Sequence, residues 1–317
     1  MNKPRVGGVT FRKSACVPAF GQVTNVETFM LKIFHPALAL LCFLSFTTAS
    51  QSADAAPLKV LLLTGGCCHD YAKQKDVLKK GLEARANVVV DQIHVADSST
   101  RPPLPIYGNP DYAKGYDVVI HDECAADIND KAVIEGVLKP HRDGIPGVNL
   151  HCAMHSYRSG NFGSPVKVGA TNAIWYEYLG LQSTSHGPQL PIEITFMDKT
   201  SAVTKGLENW ITTNEELYNN IQVFPTATPL AHGKQVIKQT KKDADGKETV
   251  TENATETVVS WNNLYGKTRV FSTSLGHNNT TVEDARYLDL VTRGLLWACD
   301  KLDESGKPKP GYEASAK

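Results

Sequence analysis

Charge of one sign is what this chain most conspicuously lacks. Its 317 residues carry 33 Lys plus Arg against 33 Asp plus Glu, so the formal net charge is zero with the histidines neutral. No basic stripe tracks a phosphate backbone, which argues against nucleic acid as a partner, and no acidic tail forms a solvating segment. Long apolar runs are missing too. Ala37 to Phe46 is about half of the ~20 residues that a helix needs to cross a bilayer, so no stable membrane span is expected. The seven cysteines include no C-x-x-C pair, which removes a thioredoxin motif and a zinc ribbon. There is no G-x-G-x-x-G fingerprint and no Gly-Lys-Ser/Thr of a phosphate loop. No internal repeat or low-complexity domain is present.

What is present begins with a leader. Met30-Leu31-Lys32 precedes the apolar run, and Ala53-Asp54-Ala55 stands just before Ala56-Pro57. A charged start, an apolar segment and an A-x-A site read as a secretory signal. An exported protein, periplasmic or extracellular, is therefore expected. Residues 1–55 form the signal peptide, with an over-long start before Met30, residues 56–302 a single domain, and residues 303–317 a charged, disordered tail. Of the cysteines in the mature part, Cys67, Cys68, Cys124, Cys152 and Cys299, most are expected to be free and buried. Adjacent Cys67 and Cys68 would bridge only with strain.

Leu58 to Thr64 is a continuous apolar run closed by Gly65-Gly66, the pattern of a central strand covered on both faces. Further strands are predicted over Val88 to Val95, Tyr116 to His121 and Gly147 to Leu150. Helices are predicted over Ala72 to Ala86 and Asp130 to Leu138, the second ended by Pro140. This alternation marks an α/β fold with a doubly wound, mainly parallel sheet. Short strands follow at Pro191 to Phe196, Glu216 to Val223 and Pro229 to His232, then an exposed polar hairpin over Lys238 to Glu256. A strand pair, Thr257 to Trp261 and Arg269 to Thr273, leads to an amphipathic helix over Val282 to Leu302.

The chemistry-bearing residues cluster where strands end. His69 follows the first predicted strand, His121 the third and His151 the fourth, and His277 comes after Arg269 to Thr273. Carboxyl ends of parallel strands converge on one edge of such a sheet, where ligands bind. Imidazole titrates near neutral pH and ligates metals, so repetition of histidine at these ends points to a pocket. Taken singly, each histidine also has a structural reading, and His69 with Asp70 also reads as a helix-start pair. Cys152, between His151 and His155, stands where class I glutamine amidotransferases carry a cysteine nucleophile, but Leu150 and Met154 replace the small residues such a turn prefers. His186 lies among turn residues. Glu215-Glu216 precedes Leu217-Tyr218, and an inward carboxylate there would serve as a base or orient a histidine.

Together these pieces resemble the trehalose-utilisation (ThuA-like) family of the class I glutamine amidotransferase-like superfamily. The matching stretches are Leu62-Leu63-Thr64-Gly65-Gly66 with His69, Gly147 to His151, Trp175 to Gly180 with His186, Glu215 to Tyr218, and Tyr265 to Phe271 with Gly276-His277. Thr268 replaces a glycine of the family pattern, Glu215 an aspartate, and Cys152 the glycine that often follows the histidine. The resemblance implies a flavodoxin-like fold and a role in carbohydrate catabolism, with a disaccharide or keto-sugar as partner. On this reading His69, His151, Glu216 and His277 are the catalytic candidates, and Cys152, His155, His186 and Tyr218 contact substrate. A zinc-like divalent metal held by His69, His151, His186 and His277 is a variant, with no cofactor certain; a homo-oligomer is left open. Two other readings remain: a non-catalytic carbohydrate-binding protein, and a cysteine hydrolase or amidotransferase using Cys152.

Overall fold

The computed structural model describes residues 55–243 and 245–314. The expected leader falls on residues 1–54, outside the described residues. The elements run in the order β1 (Leu58–Gly66), α1 (Tyr71–Glu83), β2 (Val88–Val95), β3 (Val118–Cys124), α2 (Lys131–Arg142) and β4 (Gly147–Leu150). A 3-10 turn (His151–His155) follows, then α3 (Ile174–Leu179), β5 (Leu181–Phe196), β6 (Trp210–Val223), β7 (Ala227–Lys242), β8 (Glu248–Tyr265), β9 (Thr268–Thr273), α4 (Asn279–Val282) and α5 (Ala285–Ala298).

The strands form one mixed sheet of nine in the order β2-β1-β3-β4-β9-β8-β7-β5-β6. Pairings from β2 through β9 are parallel, and those from β9 through β6 are antiparallel. The parallel half has the flavodoxin-like order, with its direction of winding reversing at β1. Successive side chains on β1 point to opposite faces. Val60 and Leu62 pack with Leu78 and Leu82 of α1 and Leu295 of α5. Leu61 and Leu63 share the other layer with Ile134 and Val137 of α2 and Trp175 of α3. Two covered faces explain the apolar run Val60 to Leu63, in which each buried leucine contributes about 1.5–3 kcal/mol.

Several boundaries differ from the sequence expectation. Pro140 does not end α2, which runs to Arg142; a proline in the last turn forfeits one hydrogen bond, and the Asp143 amide still reaches the Lys139 carbonyl at 3.0 Å. The final helix is split, because the Asp284 side chain accepts from the Arg286 amide at 2.9 Å and starts α5 afresh. Strands β5 to β8 are much longer than the short segments expected. The outer parts of β7 and β8 do form the exposed polar hairpin, laced by Lys238–Glu252 and Lys242–Glu248 pairs. The segment after Asp303, expected to be disordered, folds back as far as it is described. The Tyr312 carbonyl accepts from the Asn87 amide at 3.0 Å, and the Gly311 carbonyl accepts from the Asn87 side chain at 2.9 Å. Those bonds and the Lys301 ammonium over the Tyr312 ring, 4.8 Å from its centroid, outweigh the charged composition.

Candidate functional site

Three parallel strands, β1, β4 and β9, and two antiparallel ones, β5 and β6, deliver the site. His69 follows β1 and precedes Asp70, whose side chain caps α1 by accepting from the Lys73 amide at 3.3 Å. Both readings of that pair hold: Asp70 caps, and His69 turns into the pocket. His151 begins the turn after β4 with φ of 38°. That left-handed conformation is costly for a residue with a side chain and is characteristic of functional turns. The tip of this sharp turn is thus a histidine, not Cys152. A glycine on the neighbouring strand end packs beside it. A Cβ on Gly276, which follows β9 with φ of +123°, would lie 3.5 Å from the His151 Cβ and 2.8 Å from the Tyr287 hydroxyl.

The rings of His69 and His151 have centroids 4.7 Å apart, and those of His69 and His277 are 4.8 Å apart. The Ser274 carbonyl accepts from His151 Nδ1 at 2.7 Å, which places that proton on Nδ1 and leaves Nε2 as the acceptor. The Tyr218 hydroxyl, 3.1 Å from Nε2, donates to it. Glu216 stands beside all of this. Its Oε2 is 3.2 Å from His277 Nδ1 and 3.6 Å from His151 Nε2, and its Oε1 is 3.5 Å from His186 Nδ1. Burial opposes ionisation of Glu216, but the adjoining His151 and His277 imidazoles overcome it and hold its carboxyl well below the usual range. Burial likewise works against charge on His277, and the Glu216 and Glu215 carboxylates reverse the balance, raising its pKa. Burial, then the charges of His151 and His277, push His69 down to about 2, so it is a neutral imidazole at any ordinary pH.

A second ring of residues holds the first, and sequence reasoning missed most of it. The fully buried Glu215 carboxylate accepts from the His277 amide at 2.9 Å and from the Gly276 amide at 3.3 Å. Gln74 of α1 donates to the His277 carbonyl at 3.0 Å. The loop carrying His277 is therefore clamped from two elements. Glu215 was visible as half of an acidic doublet, whereas nothing around Gln74 marked it. His155 stacks on Tyr218 with centroids 4.1 Å apart and shares a hydrogen bond with Ser183 Oγ at 2.9 Å.

These residues surround a cavity of about 220 Å3 lined by His69, His155, His186, Glu216, Tyr218 and His277, with Arg158 and Thr100 at its wall. His151 bonds to the Tyr218 hydroxyl and does not itself line the cavity. Of the four histidines considered for a metal, His69, His151 and His277 bring ligand atoms within 4.8 Å of one another. His186 is outside that group: it is exposed, on β5, and reaches Glu216 through the other carboxylate oxygen. His121 does not reach the pocket. It is fully buried on β3, with Nδ1 2.8 Å from Glu123 and Nε2 3.1 Å from His141, in a network beneath Trp175.

The cysteines are not mostly free. Cys67 pairs with Cys68 and Cys124 with Cys152, leaving Cys299 free among the described residues. Strand β3 runs parallel beside β1 and ends at Cys124, so the turns after β1, β3 and β4 bring all four sulfurs to the pocket wall. Paired with Cys124, the Cys152 sulfur offers a thiolate only when that pair is reduced.

The profile of the family described as ThuA, trehalose utilisation, matches residues 59–298, most of the chain. The chain belongs to the ThuA family. Among solved structures, a ThuA-like protein from Parabacteroides merdae superposes with a TM-score of 0.53 at 20% identity, covering 81% of this chain and 97% of that one. A GMP synthase protein from Thermoplasma acidophilum matches with a TM-score of 0.43 at 13% identity, over 77% of this chain and 94% of that one. A glutamine amidotransferase from Thermotoga maritima gives 0.37 at 10% identity, over 77% and 98%. No curated protein matches this chain significantly. The ends of β1, β4 and β9, with β5 and β6, hold the segments that carried the resemblance. Thr268, which departs from the ThuA pattern, is buried and donates to the His141 carbonyl at 2.7 Å, so here the position ties β9 to α2.

Proposed function

We propose that this ThuA-family protein is an exported carbohydrate-processing enzyme that works by acid–base chemistry on a disaccharide or keto-sugar. The carbohydrate assignment rests on the family description, and the export on the leader pattern. The observation that carries the chemistry is the Tyr218 hydroxyl on His151 Nε2, with Nδ1 held by the Ser274 carbonyl. Tyr218 faces the cavity and His151 backs it. A proton leaving substrate passes to the Tyr218 oxygen as the Tyr218 proton moves to His151 Nε2. The imidazolium so formed is balanced by Glu216 at 3.6 Å. Burial first, then the Glu216 and Glu215 charges, raise the Tyr218 pKa, so the phenol rests protonated and serves as a conduit rather than as a standing base. His277, charged against Glu216, is the acid on the other side.

The test is solvent-deuterium exchange and turnover on a panel of disaccharides and keto-sugars. Tyr218→Phe keeps the ring stacked on His155 and removes the conduit. We expect a loss of about 10²–10⁴-fold, with His151→Ala no worse when combined with it. A wild-type protein that binds a sugar yet never exchanges or turns over any of the panel would be a binding protein instead.

A metal-assisted form of the same chemistry is favoured by one observation. His69 Nδ1 is buried with no hydrogen-bond partner, inside the group of three imidazoles. Three imidazoles with a carboxylate beside them suit a zinc-like ion, which would take the place of the His277 proton and supply Lewis acidity at the cavity. Metal content of the purified protein against His69→Ala decides it: a stoichiometric ion lost in the variant supports the ion, and none in either removes it.

A further inference from the structure

Arg158 brings to the cavity a charge that no neighbouring group answers. The cavity wall has one carboxylate, Glu216, and that is engaged by His277 at 3.2 Å. Arg158 is the permanent cation of the same wall. Its Nη1 donates to the Thr184 carbonyl at 3.0 Å, and its guanidinium lies 4.3 Å over the Phe162 ring. Its Nε is buried with no hydrogen-bond partner. Among the described residues no carboxylate forms an ion pair with it. Asp127 acts on it only from a distance, its carboxylate being held by the Thr100 hydroxyl at 2.5 Å. The position is built rather than incidental: Tyr157 just before it is held at φ of 54°, with its hydroxyl donating to Glu123 at 2.7 Å.

A half-buried cation without an anion is costly, and cost without a structural return marks a place kept for a ligand. The guanidinium is fixed at one nitrogen and braced by an aromatic face. Its remaining donors form a planar fork that matches a carboxylate or a phosphate. The cavity, about 220 Å3, falls below the roughly 300–1,000 Å3 of drug-sized sites, which suits one sugar ring with a single substituent.

We propose that Arg158 is an anion-binding arm of this pocket and that the ligand is an acidic sugar, a single ring bearing a carboxylate or phosphate. The proposal rests on the pocket being the ligand site described above, and it narrows the substrate class to a single acidic ring, setting the disaccharide aside. Arg158 would bind the acidic group while the Tyr218–His151 pair works elsewhere on the ring.

The full chain is titrated calorimetrically with D-glucuronate, D-glucose 6-phosphate and D-glucose, at low and high salt, alongside Arg158→Gln and Arg158→Lys. An acidic sugar should bind at least ~10-fold tighter than glucose, the range of a charge-assisted hydrogen bond. Arg158→Gln should erase that preference, and Arg158→Lys should keep part of it. Tighter binding of glucuronate names a carboxylate; tighter binding of the phosphate ester names a phosphate. A second readout needs no variant: modification of Arg158 by phenylglyoxal, followed by mass spectrometry, should be slowed by the acidic sugar and not by glucose. Equal binding of acidic and neutral sugars, no protection, or a preference that survives Arg158→Gln overturns the proposal. Protection without turnover of any sugar keeps the anion site and removes the acid–base reading, so the two fail separately.

Discussion

Gly276→Ala isolates the loop that aims His277. Gly276 sits at φ of +123°, and an added Cβ would meet the Tyr287 hydroxyl at 2.8 Å. Holding a non-glycine residue there costs about 1–3 kcal/mol. The usual escape, rotation of the peptide, is blocked. Glu215 accepts the Gly276 and His277 amides, at 3.3 and 2.9 Å, while Gln74 holds the His277 carbonyl at 3.0 Å. Either the strain stays or the clamp breaks, and a broken clamp leaves the Glu215 carboxylate buried and short of donors. For a domain of this size, 1 kcal/mol corresponds to about 2 °C in Tm, so backbone strain alone is worth a fall of roughly 2–6 °C by calorimetry, and the Gly276 variant, with its Tyr287 contact and its clamp, should fall further. Gly246→Ala is the control: φ there is +77° with no atom near the new Cβ, so it carries backbone strain alone. The imidazole 1H–15N resonances of His151 and His277 should shift in the Gly276 variant and stay in place in the control. If Gly276→Ala is no more destabilising than Gly246→Ala, the clamp argument is wrong.

Two other predictions follow from the same site. Cys124 and Cys152 close a loop of sequence separation 28, so removing the cross-link by Cys124→Ser should lower stability by about 3.5 kcal/mol on chain-entropy grounds; urea unfolding with and without a reductant measures it. Glu216→Gln should flatten the pH dependence of stability. The depressed Glu216 pKa contributes above its unfolded value of 4.5 and is lost as pH falls further, whereas the raised His277 pKa contributes below 6.5 and is lost as pH rises through its folded value. The pair thus stabilises most between those two limits, and an unchanged Tm profile in the variant would refute the pairing.

The parallel half of the fold was legible because its physics is local. A strand buried on both faces reads as an apolar run, and Val60 to Leu63 says so in four letters. The convergence of His69, His151 and His277 followed from the rule for strand ends. The antiparallel half was not legible at its true length. β5 carries four register irregularities against β6, so its alternation is broken, and much of β7 and β8 is exposed on both sides. The cysteine pairing was hidden for another reason. Cys124 and Cys152 stand on β3 and beyond β4, and only the parallel pairing of those strands makes them neighbours. His151 showed its identity but not its depth: whether a residue lines a cavity or backs it depends on what β6 lays over it.

That last dependence has an evolutionary consequence. In a regular strand, adding one residue carries every later side chain to the opposite face. The β5–β6 ladder already interrupts its register between Ser183 and His186 and between His186 and Gln189, opposite Glu216 and Tyr218. A strand with such slack can absorb an insertion by moving an existing bulge, leaving the core pattern intact. The acid and the phenol are therefore mounted on the part of the sheet most tolerant of length change, while the imidazoles stand on the part least tolerant of it. Insertions among relatives should therefore fall at the bulges of β5 around His186 rather than within β1, β4 or β9.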